Sequence, residues 1–351
     1  KIKVLLEYFK TVEEIYFSKN FNNIYGLSDK IKSSLADKDL SKAEKILEQT
    51  AKLNQKILVY DSESYPQILK NISSPPYVLY VQGKVLELDK VLTIGVVGTR
   101  NSSEYGRVVT DRICRELAQY GVVTVGGLAR GIDTVGAWAT LDVGGVAVGV
   151  VGSGLDIVYP SENVELVKAI TEKGCIISEY APGTPPVRNH FPARNRIIAG
   201  LSRGILVTEA PEKSGALITA KYALENDRDV FAVPRNITDT NSLGTNKIIQ
   251  QGAKLINGAA DIISEYPYAE KVIPKKVKSE PIQKIVDDSK YSKLNEFEKQ
   301  IIDILKKSDM QIDELSRELK RNVSEINTKL IMLEVKGLVK KLPGSKYQLK
   351  L

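Results

Sequence analysis

The chain has 351 residues, of which 42% are apolar and 26% charged, with a net charge of +7. That length can hold two or three domains with a substantial core, and the composition is globular, not disordered or collagenous. No apolar run reaches the roughly 20 residues that span a bilayer, and the opening "KIKVLLEYFK" alternates charge with hydrophobe, so a cytoplasmic protein without membrane contact is expected.

Residues 1–55 read as a small helical domain, in which amphipathic stretches such as "AEKILEQTAKL" are broken by polar turns such as "GLSDK". In "YDSESYPQILKNISSPPYVLYVQG" the pair Pro75-Pro76 ends a helix and "YVLYVQG" reads as a strand. From residue 91 to about 263 the pattern changes. Apolar runs recur, each followed by a small-residue loop and a helical period: "VLTIGVV", "GVVTVGG", "VAVGVV", "CIIS", "GILVTEA" and "DVFAV". Continuous Val/Ile runs without alternation belong to parallel strands covered on both faces, joined by right-handed helical crossovers. Residues 56–265 are therefore expected to form a doubly wound α/β domain.

Over residues 266–293 hydrophobes thin out while Pro and Lys accumulate, which reads as a linker. Residues 294–351 then recover order as three helix-like units and a hairpin around "PGS", the pattern of a winged helix. Its candidate recognition helix, "VSEINTKLIMLEV", sets Glu325 and Glu334 against Lys329, which suits a phosphate-lined groove poorly. A regulatory or protein-contact role is read there.

Two cysteines, Cys114 and Cys175, and one histidine, His190, leave no room for a Cys/His zinc site, and both thiols are read as packed. No metal and no cofactor is expected.

In an open parallel sheet, ligands sit beyond the carboxyl ends of the strands. Those ends carry "GTRNS", "GGLARGID", "GSGLD" and "EKSGALITA". Glycine loops leading into helix N-termini present backbone N–H groups to anions. Gly98, Thr99, Gly127, Arg130, Gly152, Ser153 and Gly154 are thus candidate phosphate-loop residues, with Lys213, Ser214 and Gly215 before a further helix. None of the loops is GxGxxG or a Walker A motif.

Residues 91–262 hold 17 basic and 17 acidic residues, so an anion site there must come from clustering. Such a cluster exists. Of the 13 arginines, Arg188, Arg194, Arg196 and Arg203 fall within residues 187–203 without an acidic neighbour among them. Guanidinium grips phosphate bidentately and stacks on bases, and Phe191 lies between these arginines, a composition that fits a single-strand site. The competing reading for Arg194 and Arg196 is ion pairing with strand-end carboxylates such as Glu179 or Glu209.

Taken together, "VVGTRNSSEYGR", "GGLARGIDTVGA", "VVGSGLDIVYPSEN", "SEYAPGTPP", "HFPARNRIIAGLSRGILVTEA", "SGALITAKYALENDRDVFAVP" and "GTNKIIQQGAKLI" resemble the bacterial DNA-processing protein A family, DprA or Smf. The resemblance covers roughly residues 55–262. It implies a Rossmann-like domain flanked by the helical and winged-helix domains. It also implies a homodimer that binds and protects single-stranded DNA and helps load a RecA-type recombinase in natural transformation, without catalysis. Carried over motif by motif, Arg100 and Arg188 bind DNA, Phe191 stacks on a base, and Arg194, Asn195, Arg196, Ser214 and Gly215 shape the pocket. Gly126, Ala137 and Arg235 depart from the Ser, His and Gly usual in the family. The rival class is a nucleotide-processing enzyme of the phosphoribohydrolase type, but its "PGGxGTxxE" motif is absent, and His190 and the separated cysteines supply no triad.

Overall fold

A computed structural model of the chain describes residues 2–267, 294–307, 310–342 and 346–349. These fall into two compact units, one before and one after the expected linker. Apart from Tyr266 and Pro267, that linker, like the "PGS" turn at 343–345, lies outside the described residues.

The first unit opens with α1 (Ile2–Tyr8), α2 (Val12–Phe17), α3 (Asp29–Ala36) and α4 (Ser41–Lys52). Thr11 starts α2 by accepting from the Glu14 N–H at 3.1 Å, satisfying a donor that the helix itself cannot. Leu5, Ile15, Phe21, Ile24 and Leu27 form a small core among the first helices. Ile46 of α4 packs instead against the cluster that contains Tyr80 and Leu155.

There follow β1 (Lys56–Val59), α5 (Gln67–Lys70), β2 (Val78–Gly83), β3 (Thr93–Val97), α6 (Glu104–Gln119), β4 (Val123–Gly126), α7 (Ile132–Asp142), β5 (Ala147–Val151), α8 (Val164–Lys173), β6 (Cys175–Ser178) and α9 (His190–Gly200). The unit is completed by β7 (Gly204–Val207), α10 (Gly215–Leu224), β8 (Asp229–Ala232), α11 (Leu243–Gln250), β9 (Lys254–Leu255) and α12 (Ala259–Ile263). One sheet runs β1-β2-β6-β5-β4-β3-β7-β8-β9. The strands from β6 through β9 are parallel, whereas β1 and β2 are antiparallel to each other and β2 to β6.

The six apolar runs became β3 to β8. The "YVLYVQG" run joins the same sheet as β2 and brings β1 with it, an edge pair too short and too exposed at Lys56 and Val59 to announce itself by periodicity. Cover on both faces explains why the inner strands are largely apolar. In β5, Val148 and Val150 pack under α9 and α10, while Ala147 and Val151 pack under α7 and α8. Each of these valines withdrawn from water contributes about 1.5–3 kcal/mol. The strand order reverses direction at β3, which lies between β4 and β7, so the chain winds outward both ways from that point.

The second unit comprises α13 (Glu296–Lys307), β10 (Met310–Gln311), α14 (Ile312–Leu319), α15 (Val323–Val335), β11 (Val339–Leu342) and β12 (Lys346–Leu349). Its sheet runs β10-β12-β11, and Ile301, Leu305, Leu315, Ile326, Leu330 and Tyr347 close the core, giving a winged helix. Among the described residues no helix is long and apolar enough to cross a membrane.

Candidate nucleic-acid interface

At the reversal point, a cavity of about 670 Å3 opens beyond the strand ends. The loop after β3 supplies Gly98, Thr99 and Arg100, and the loop after β7 supplies Lys213, Ser214 and Gly215. From the segment leading into α9 and from α9 itself come Arg188, Phe191, Arg194, Asn195 and Ile198, with Tyr159 and Asp133 completing the wall. The spacing of Phe191, Asn195 and Ile198 places them on one side of α9.

The loops differ in what their N–H groups face. Ser214 caps α10, its Oγ accepting from the Ala216 N–H at 3.2 Å, and a side chain added at Gly215 would meet nothing within 4 Å. This helix start is open to the cavity. The polar groups of the loop after β5 are engaged within the protein: Gly154 N–H donates to the Thr184 carbonyl at 2.8 Å, Ser153 Oγ donates to the Ile157 carbonyl at 3.0 Å, and Gly152 carbonyl contacts His190 Nδ1 at 3.0 Å. Gly152, Ser153 and Gly154 are therefore not brought into the cavity wall. Gly98 lies in the wall, but its lack of a side chain serves packing, since a Cβ there would come within 2.5 Å of Ile132.

An internal carboxylate holds the loop after β4. Gly127 N–H donates to Asp133 Oδ2 at 2.9 Å, with further N–H groups from Ala129 and Gly98 directed at the same group. Burial pushes the Asp133 pKa up to about 6, against the opposing pull of the Arg194 charge and of these amides. The nest expected to hold a phosphate at Gly127 is thus occupied by the protein's own side chain.

The cations divide into two groups. Arg194 points inward, 5% exposed, and donates through Nη1 to the Gly127 carbonyl at 2.8 Å and to the Val150 carbonyl. Burial draws its pKa down to about 10, and it remains a cation at neutral pH. Arg196 Nη2 pairs with Glu179 Oε1 at 2.6 Å, and Arg130 pairs with Glu162 outside the cavity wall. The competing reading of ion pairing thus describes Arg196, while Glu209 finds a different partner, Arg235, at 2.6 Å. Arg100, Arg188 and Lys213 are exposed, line the cavity and make no ion pair among the described residues. Arg100 lies 5.8 Å from the centre of the half-buried Phe191 ring. Asn195 Nδ2 donates to the Gly215 carbonyl at 3.4 Å, linking α9 to the start of α10.

Sequence reasoning missed Tyr159, which the "YP" in "LDIVYPSEN" does not mark as a wall residue. It also missed the Arg235–Glu209 pair, which joins segments 26 residues apart. Among the described residues no group of three or more His, Cys, Asp or Glu side chains could hold a metal.

The chain thus combines a parallel-dominated α/β sheet, a cation-lined cavity at the reversal point of that sheet and a C-terminal winged helix. The chain belongs to the DprA family: the family model described as DNA recombination-mediator protein A matches residues 56–267, and that of the DprA winged helix domain matches residues 289–345. It is 45% identical over 206 residues to the DNA processing protein DprA of Bacillus subtilis (strain 168), covering 59% of this chain and 69% of that protein. The X-ray structure of DNA processing protein A from Streptococcus pneumoniae superposes with a TM-score of 0.66 at 35% identity, covering 75% of this chain and 92% of that one. DNA processing protein A from Helicobacter pylori, whose structure is described as giving insights into its single-stranded DNA binding mode, superposes at 0.55 with 29% identity, covering 61% and 95%.

Proposed function

We propose that the chain captures single-stranded DNA regardless of sequence and helps load a RecA-type recombinase onto it in the cytoplasm. The observation that carries this reading is the gathering of Arg100, Arg188 and Lys213, cations without an ion-pair partner among the described residues, around one cavity with Phe191 and the open start of α10. Phosphates are held by these cations and by the amides at Ser214 and Gly215, and a base stacks on Phe191. Arg194, Asn195 and Arg196 hold α9 in place beside them. The same arrangement favours binding over catalysis, because Asp133, the carboxylate in the wall, is already engaged by amides.

A homodimer is part of this reading. Tyr105, Val108 and Ile237 are exposed apolar side chains, and the Tyr105 hydroxyl donates to the Pro234 carbonyl at 3.4 Å, so the start of α6 and the loop after β8 share one surface. The recombinase role rests on the family resemblance.

The test is a titration of labelled single- and double-stranded oligonucleotides at several salt concentrations. Tighter binding of single strands, weakening as salt rises, is expected. Equal affinity for both forms would reject the reading.

A further inference from the structure

We propose that Tyr159 is a second base-stacking ring, so that the cavity takes two successive bases splayed apart, one on Phe191 and one on Tyr159; this rests on the single-strand reading above. Tyr159 is 46% exposed and lines the same cavity. Its hydroxyl makes no hydrogen bond among the described residues, so no polar partner fixes the ring, which rests against Phe191 with nearly half its surface in water. Its centre is 5.4 Å from that of Phe191, with the planes inclined by 40°.

The backbone carrying the ring is fixed from both sides. Ser153 Oγ donates to the Ile157 carbonyl at 3.0 Å, and Asn163 Nδ2 donates to the Leu128 carbonyl and to Thr134 Oγ1, each at 2.9 Å. Asn163 N–H in turn donates to the Pro160 carbonyl at 3.1 Å. The ring is thus presented on a braced loop, ready for a ligand.

The spacing says what kind of ligand. Rings inclined at 40° cannot both lie flat on one base, so each needs its own. With their centres 5.4 Å apart and their planes inclined, bases seated one on each ring are not parallel as neighbours in a duplex strand are. Two neighbouring bases seated on them must therefore be unstacked, which an extended single strand permits and a paired one resists.

The experiment compares wild type, Tyr159→Phe and Tyr159→Ala by fluorescence anisotropy, using an oligothymidylate and an abasic strand of the same length at fixed salt. Tyr159→Ala is expected to weaken oligothymidylate binding roughly five- to a hundredfold, the range for one stacked base, while leaving abasic binding unchanged. Tyr159→Phe keeps the flat ring and should stay within about twofold of wild type on both strands. Should Tyr159→Ala unfold, Tyr159→Leu retains apolar bulk without a π face and is expected to show the same selective loss. An equal loss on both strands would make Tyr159 a packing residue and overturn the proposal, as would unchanged oligothymidylate binding by the Ala and Leu variants. Wild-type protein that ignores oligothymidylate altogether would defeat the single-strand reading itself.

Discussion

Arg235 Nη1 donates to Glu209 Oε1 across 2.6 Å, with Glu209 wholly out of water and the Arg235 side chain 8% exposed. The same guanidinium reaches Asp239 and, at 3.0 Å, Ser103 Oγ, and it lies 4.7 Å from the centre of the Tyr105 ring. Glu209 also accepts from the Ser103 N–H at 3.0 Å, and its carbonyl accepts from the Thr99 N–H at 2.8 Å. This cluster therefore anchors the loop that carries Arg100.

Removing one partner of a buried pair strands the other's charge. Arg235→Ala is expected to lower stability by about 3–5 kcal/mol, and combining it with Glu209→Leu to restore part of that loss. Urea unfolding followed by circular dichroism measures both.

Arg100→Ala should weaken binding of all single strands alike, because its target is phosphate. The slope of log affinity against log salt should become shallower by about 0.7, the amount that neutralising one phosphate contributes on a single strand. A loss that depends on sequence would place Arg100 on a base instead.

Asp133 gives a pH signature whose sign follows from its raised pKa, about 6 in the fold against an ordinary value of 3.8. Between those values the native state holds a proton that the unfolded chain has released, so this group's contribution makes stability fall as pH rises from about 4 to about 6. Asp133→Asn cannot ionise and loses that component. Relative to wild type it should gain roughly 2 kcal/mol between pH 4 and pH 7 in chemical unfolding. A constant difference across the range would show that the carboxyl does not titrate there.

Cys114 and Cys175 are 0% and 2% exposed, and burial pushes both thiols up to about 12. A thiol reagent at pH 8 should label neither in the native protein and both in denaturant, because the thiolate is the reacting form. Rapid native labelling of either would contradict the packing described.

How far the sequence could be read depended on whether a signal was local. Apolar runs such as "VAVGVV" needed only their own residues to declare a strand buried on both faces; Arg100 and Ser214 were recognisable from short motifs in the loops that follow strands, and Phe191 from its place among clustered arginines. What was hidden depended on partners distant in the chain. Arg194 and Arg188 look alike in "VRNHFPARNR", yet the phase of α9 turns Arg194 in towards the carbonyls of Gly127 and Val150, whereas Arg188 lies in the segment before the helix and stays exposed. Gly127 and Gly154 look like anion-nest glycines, but Asp133 and Thr184 meet their N–H groups, and neither interaction has a one-segment signature.

Because β3 lies between β4 and β7, the loops leaving β3 and β7 must part company before any side chain is chosen. The hollow between them is thus a by-product of how the polypeptide is threaded. Residues around its mouth can be exchanged without filling it, so what the protein accepts can drift from one descendant to the next while the receptacle persists.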